Sequence, residues 1–198
     1  MHFIFENKYI LEDSTVLLRP LELSDFNNLL PFALHEAYLW KYSLLSIYDK
    51  ESLETYLNYA VQHRNDSLEY PFIVFDKRTN AYAGSTRFYD ISFLHKTLKI
   101  GYTWYGKDFQ GTGLNKHAKF LLLDFAFEKM GMERVEFRAD NKNERSIAAI
   151  KSLGASLEGV LRSSEIKPDN TRRDSAILSI LKNEWYDSLR ENLLQKLS

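Results

Sequence analysis

Cysteine is absent from the 198 residues. Its absence removes disulfide scaffolds, thiolate-ligated zinc and thiol nucleophiles together. Nor does any run approach the roughly 18 apolar residues that cross a bilayer, and residues 1–13 alternate apolar with charged side chains where a signal peptide would hold an uninterrupted apolar core. A cytoplasmic protein with no membrane partner is expected. Neither sign of charge dominates, with 26 Lys and Arg against 27 Asp and Glu, so no global field favours nucleic acid and none is expected as a direct partner. The five histidines show no pair at metal-ligand spacing, and no metal is expected. Proline is scarce and scattered, at Pro20, Pro31, Pro71 and Pro168, so no linker divides the chain and a single domain over 1–198 is expected.

What is present suits a folded domain. Hydrophobic residues make up 44% and aromatics 14%, and a chain of this length buries about 70% of its unfolded surface without staples. STVLLRP (14–20) reads as a strand, and Ser24 is placed to cap a short helix carrying Phe26, Leu29 and Leu30. Residues 49–64 set Leu53, Tyr56, Leu57 and Ala60 at helical spacing. PFIVFD, AYAGSTRFYDI and TLKIGYTWY, between 71 and 105, are β-branched and aromatic and are separated by RTN and LHK turns, so they predict an antiparallel meander. Residues 114–130 form a helix apolar over much of its circumference, ended by a left-handed Gly131. Beyond it come strand 134–139, a helix over ERSIAAIKSL stopped by Gly154, strands 156–162 and 174–181, and an amphipathic helix over 183–197. The order predicts a mixed α/β (α+β) fold with helices on a largely antiparallel sheet.

Four of the eight glycines fall between 101 and 113. In WYGKDFQGTGLNKHAKF a strand runs through glycines straight into a helix, whose first turn presents unpaired N–H groups and a partial positive charge to an anion. The segment lacks the GKS or GKT of a P-loop and the third glycine of a dinucleotide fingerprint. Taken alone, QGTG is equally a tight turn and a helix start.

The ordered set TVLLRPLELSDFNNL, GSTRFYDI, LKIGYTW, the run from FQGTGLNKHAKF through NKNERSIAAIKSLGASLEGVLRS, and RRDSAILSILKNEW resembles the GNAT superfamily of acetyl-CoA-dependent N-acetyltransferases, in its ribosomal-protein (RimJ/RimL-like) branch. The resemblance spans about residues 10–187. It implies a GNAT fold with helices on both faces of the sheet, and an acyltransferase with acetyl-CoA as cosubstrate and an amine, on a protein N-terminus or a small molecule, as acceptor. It also implies that Gln110, Gly111, Thr112, Gly113, Leu114 and Asn115 form the loop that holds the coenzyme's pyrophosphate. Trp104 and Tyr105 would end a splayed strand whose backbone meets the pantetheine arm. Asn143 would bond the pantetheine, and Ser146 would give a proton to the departing thiolate.

This chain departs from the family at three positions. Asn115 replaces a small Gly or Ala, Ile150 stands where a general-acid tyrosine is common, and Lys99 stands where relatives often carry a strand glutamate that acts as base. Without that base, an α-amine of pKa about 7.8 costs about 1.2 kcal/mol to deprotonate at pH 7 and a lysine amine about 4.6 kcal/mol. A low-pKa amine acceptor is therefore expected, with water or Tyr102 relaying the proton. Transfer would be direct, since no cysteine exists to carry the acetyl group. Alternatives remain: a polyamine or aminoglycoside acceptor, favoured by a strongly acidic pocket, or a non-catalytic acyl-CoA-binding module.

The remaining candidates are weaker. His117 is expected on the helix surface or in packing, and His95 sits in a turn. Lys116, Lys119, Lys142 and Arg145 form a basic cluster that is either a solvated face or a contact for the coenzyme's 3′-phosphate. Asp174 beside Arg172 and Arg173 reads as a surface ion pair. Tyr38, Trp40 and Tyr42 either border the acceptor pocket or are core aromatics. The stripe of Trp185, Leu189, Leu193 and Leu194 packs internally or against a second subunit, so the chain is a monomer or a homodimer.

Overall fold

The computed structural model describes residues 3–197, and eight strands form one sheet of order β1-β2-β3-β4-β5-β6-β8-β7. The strands are β1 (Leu11–Glu12), β2 (Val16–Pro20), β3 (Tyr70–Asp76), β4 (Ala81–Ser92), β5 (Thr97–Tyr105), β6 (Arg134–Asp140), β7 (Ser156–Ile166) and β8 (Arg172–Leu181). Every neighbouring pair is antiparallel except β5 and β6. In β3, Phe72 and Val74 enter one core and Ile73 the other, so the strand reads as an unbroken apolar run because both of its faces are covered. On the Ile73 face lie α1 (Phe26–His35) and α2 (Lys50–Asn65), through Leu29, Phe32, Leu53, Tyr56 and Leu57. The opposite face is covered by α3 (Leu114–Asp124), α4 (Glu144–Lys151), α5 (Lys182–Glu184) with the π turn Trp185–Leu189 that follows it, and α6 (Arg190–Gln195). Leu114, Ala118, Leu122, Ile150, Trp185 and Leu193 fill that core. The expected fold class, with helices on both faces, is the observed one.

Two features of β5 position the site. It pairs with parallel β6 only from Thr97 to Lys99, against Arg134 to Glu136, after which the two strands separate. Where they part, β5 carries a bulge: Ser85 pairs with Trp104 and Arg87 with Gly101, so Thr86 alone opposes Tyr102 and Thr103. Tyr102 takes a left-handed φ of 50° there. At Gly84 the strands β4 and β5 approach so closely that an added Cβ would lie 2.0 Å from the Trp104 carbonyl oxygen.

Several local expectations are corrected. Ser24 does not cap α1. It lies inside the 3-10 turn Leu23–Asp25, and Asp25, paired with Arg19 at 2.5 Å, accepts the Glu22 N–H at 3.0 Å instead. The last hairpin is longer than the apolar pattern suggested, because β7 is an edge strand whose residues are mostly solvated and carry little hydrophobic signal. Helix 114–130 changes at Phe125–Lys129, and helix 183–197 at Trp185–Leu189, into single π turns. Trp185 and Leu193 are buried within this chain and Leu189 packs against the same core, so the greater part of the final stripe packs internally.

Candidate active site

The start of α3 is built by conformation. Gly111 (φ 76°) and Gly113 (φ 87°, the N-cap residue) take left-handed backbone, and a Cβ at either would meet nothing within 4 Å. The backbone at these two glycines, just before an 11-residue helix, is thus open to approach, which fits a diphosphate. Arg78, from the β3–β4 turn, donates to the Thr112 carbonyl at 3.0 Å and to its hydroxyl at 3.3 Å while paired with Asp76 at 2.7 Å. It braces the loop and adds a guanidinium beside it. The sequence offered Arg78 only as part of a turn.

Below the cradle lies the gap between β5 and β6. Gln110 bridges it: its amide donates to the Tyr105 carbonyl at 2.7 Å, and its side-chain oxygen accepts from Arg145 at the start of α4. The loop, the end of β5 and the N–x–x–S turn are therefore tied together. Asn143 is the N-cap of α4, and its Oδ1 accepts the Ser146 N–H at 3.1 Å. This cap uses the backbone of Ser146 and leaves its half-buried hydroxyl outside the cap. The Trp104 ring packs against Trp40 (5.1 Å) and Phe32 (5.6 Å), and the Tyr105 ring is buried in the opposite core, so these two residues offer the gap only backbone. Burial pushes the Tyr105 phenol well above its ordinary value.

Tyr102 stands on the α2 face. Arg87, fully buried, lies 4.3 Å from the Tyr102 ring centre, with Tyr56 and Tyr59 at 5.2 and 5.8 Å, and pairs with Glu69 at 2.7 Å. Burial, with the charge of Glu69, raises the Tyr102 phenol, so it stays neutral and can pass a proton but not abstract one. Among the described residues no hydrogen bond or ring contact joins Tyr102 to Asn143 or Ser146. Lys99 is 2.6 Å from Asp90 and 3.6 Å from Glu136, its register partner on β6, so a carboxylate does stand at the last rung before the strands part. Burial raises the Glu136 carboxyl, but hydrogen bonds from Arg138 and Arg134 and the Lys99 charge outweigh that and hold it below the usual range. Glu165 behaves alike, with burial outweighed by the Ser164 and Ser175 hydroxyls and Arg173.

Two surface expectations change, at Lys119 and Asp174, and His117 takes the packing role expected of it. Lys119 is not part of the solvated basic cluster: it is 4% exposed, while Lys142 and Arg145 are solvated. Asp174 accepts the Ser163 N–H at 2.7 Å, and Arg173 turns to Glu165 at 3.1 Å instead of to Asp174. His117 holds Asp13 at 2.6 Å, tying α3 to the β1–β2 turn. Trp40 is core, whereas Tyr38, 46% exposed, touches Gln110 at 3.4 Å. Among the described residues no cluster of three or more metal-ligating side chains occurs, and no helix is long and apolar enough to cross a membrane.

A family model described as an acetyltransferase (GNAT) domain matches residues 15–156. The chain is 30% identical over 102 residues to a putative ribosomal N-acetyltransferase, YdaF, of Bacillus subtilis, a match covering 52% of this chain and 55% of that protein. It is 27% identical over 156 residues to spermidine N(1)-acetyltransferase of Escherichia coli, covering 74% and 76% of the two chains. Among solved structures, a putative acetyltransferase from T. thermophilus superposes with a TM-score of 0.87 at 30% identity, covering 99% of this chain and 100% of that one. The ribosomal L7/L12 α-N-protein acetyltransferase RimL superposes with a TM-score of 0.78 at 18% identity, over 91% and 98%, which speaks to the fold alone.

Proposed function

Because the chain belongs to the GNAT acetyltransferase family, we propose that it transfers an acetyl group from acetyl-CoA directly to a primary amine of low pKa, such as a peptide N-terminal α-amine, as in the RimJ/RimL-like branch. The observation that carries this reading is the open cradle at Gly111 and Gly113, set directly above a gap where β5 and β6 lose their pairing. In this proposal the N–H groups at the start of α3 hold the diphosphate, and Gln110, Thr112, Leu114 and Asn115 shape the loop around it. The backbone of Trp104 and Tyr105 meets the pantetheine, aided by Asn143. The amine nitrogen bonds the acetyl carbon as the carbon–sulfur bond breaks. Ser146 protonates the leaving thiolate, and the amine's proton leaves by water or by neutral Tyr102.

The electrostatics of the sheet face favour a peptide amine over a polyamine. Asp90, Glu136 and Glu165 each have a basic partner, in Lys99, Arg134 and Arg138, and Arg173 respectively. The tyrosine cage beside them is occupied by Arg87. An extended dication finds no unpaired acidic lining in that set. A free-α-amine peptide and its N-blocked, lysine-bearing twin, compared by thiol release from acetyl-CoA, test the acceptor. Release with the first is expected; release only with the second, or only with spermidine, contradicts it. Binding of acetyl-CoA with no release on any amine would mark a non-catalytic binding module.

A further inference from the structure

Lys119 is a buried amine that the transfer scheme does not use. It lies on the sheet-facing side of α3, and its Nζ donates to the Thr103 hydroxyl at 2.6 Å and to the Thr86 hydroxyl at 3.1 Å. Those two threonines are the opposite sides of the β5 bulge, one residue of β4 facing two of β5. Their hydroxyls are 2.7 Å apart, and each also reaches the Gly101 carbonyl at 3.4 Å. A chain of hydrogen bonds therefore runs from α3 through both sides of the bulge to the residue preceding left-handed Tyr102. Six residues upstream of Lys119 on the same helix, about 9 Å along its axis, is the Gly113 cradle.

We infer that Lys119 is a positioning residue: its amine clamps the β5 bulge from the α3 side and fixes the backbone of residues 101–104 relative to the anion cradle. No ion pair among the described residues includes this amine, so its hydrogen bonds go to the bulge. Burying an amine among apolar neighbours costs stability, and Ala118, Leu122 and Leu123 show that apolar side chains fill the surrounding core. The Thr86–Thr103 contact together with the Gly101 carbonyl satisfies those two hydroxyls without the lysine. What the lysine adds is a fixed link between helix and bulge. The catalytic consequence rests on the proposed function, in which this stretch of β5 lines the thioester. A loosened bulge would leave the coenzyme bound at the cradle and misplace the acetyl group.

Lys119→Met, Thr103→Val and the double variant test this, with two readouts. Hydrogen exchange of the amides of residues 101–104 is measured on the free protein, and kcat is measured alongside the acetyl-CoA dissociation constant. The clamp predicts faster exchange at 101–104 with α3 unchanged, and a kcat about tenfold lower, the worth of one hydrogen bond. The dissociation constant stays at its wild-type value. Lys119→Gln, which keeps an N–H donor, recovers part of the loss, and the double variant is no worse than Lys119→Met. Unchanged exchange at 101–104, an unchanged kcat, or independent losses that multiply in the double variant would each overturn the inference. If the wild-type protein acetylates no amine, the proposed function fails; exchange then still decides the clamp, faster exchange upholding it and unchanged exchange refuting it.

Discussion

Replacing Lys119 by methionine changes how stability depends on pH, in a direction set by the buried amine. Burial lowers the Lys119 pKa from 10.5 to about 7. The unfolded chain therefore carries a proton there up to about pH 10.5, while the folded protein carries it only below about pH 7. Folding releases that proton across the window, so the destabilising contribution is full below about pH 7 and fades as pH rises from there toward 10.5. Its ceiling is about 5 kcal/mol. The methionine side chain has no such linkage and nearly the same length, and the two threonine hydroxyls retain each other. Urea unfolding of both proteins at pH 7, 8 and 9 isolates the effect, because every other titration cancels in the difference. The stability of Lys119→Met relative to wild type should fall by about 2 kcal/mol between pH 7 and pH 9. A difference that stays constant over this range would refute the reasoning.

Other substitutions separate support from chemistry. Ser146→Ala keeps the N–H that Asn143 caps, so thermal stability and acetyl-CoA affinity should hold while kcat falls roughly a hundredfold, the lower end for a lost proton donor; an unchanged rate removes Ser146 from the proposed scheme. Gly84→Ala would force a Cβ against the Trp104 carbonyl at a φ of 155° and should cost more than about 3 kcal/mol in urea unfolding, the range of severe backbone conflicts. A loss below about 1 kcal/mol would show that β4 and β5 part readily.

The architecture was legible where periodicity was strong. Leu53, Tyr56, Leu57 and Ala60 are the buried residues of α2, and Gly131 is left-handed at 69°. Edge strand β7 was not legible in full, because solvated residues alternate without contrast. Within the site, the glycine loop could be read since φ above zero and a missing Cβ leave a mark in composition. Lys119 could not: beside Lys116 on the same helix it looks like part of a solvated face until the threonines across the sheet are in place. Arg78, Arg87 and the Lys99–Glu136 rung were hidden for the same reason, as partners brought together by topology from strands far apart in the chain.

The central claim is that amide hydrogens at the start of α3 hold a diphosphate. Titrating the labelled protein with coenzyme A, and separately with pantetheine, which lacks the diphosphate, while following the backbone amide resonances of Gly111, Gly113, Leu114 and Asn115, tests it most directly. The account predicts large shifts of these four amides with coenzyme A and little change with pantetheine; equal shifts with both, or none with coenzyme A, would contradict it.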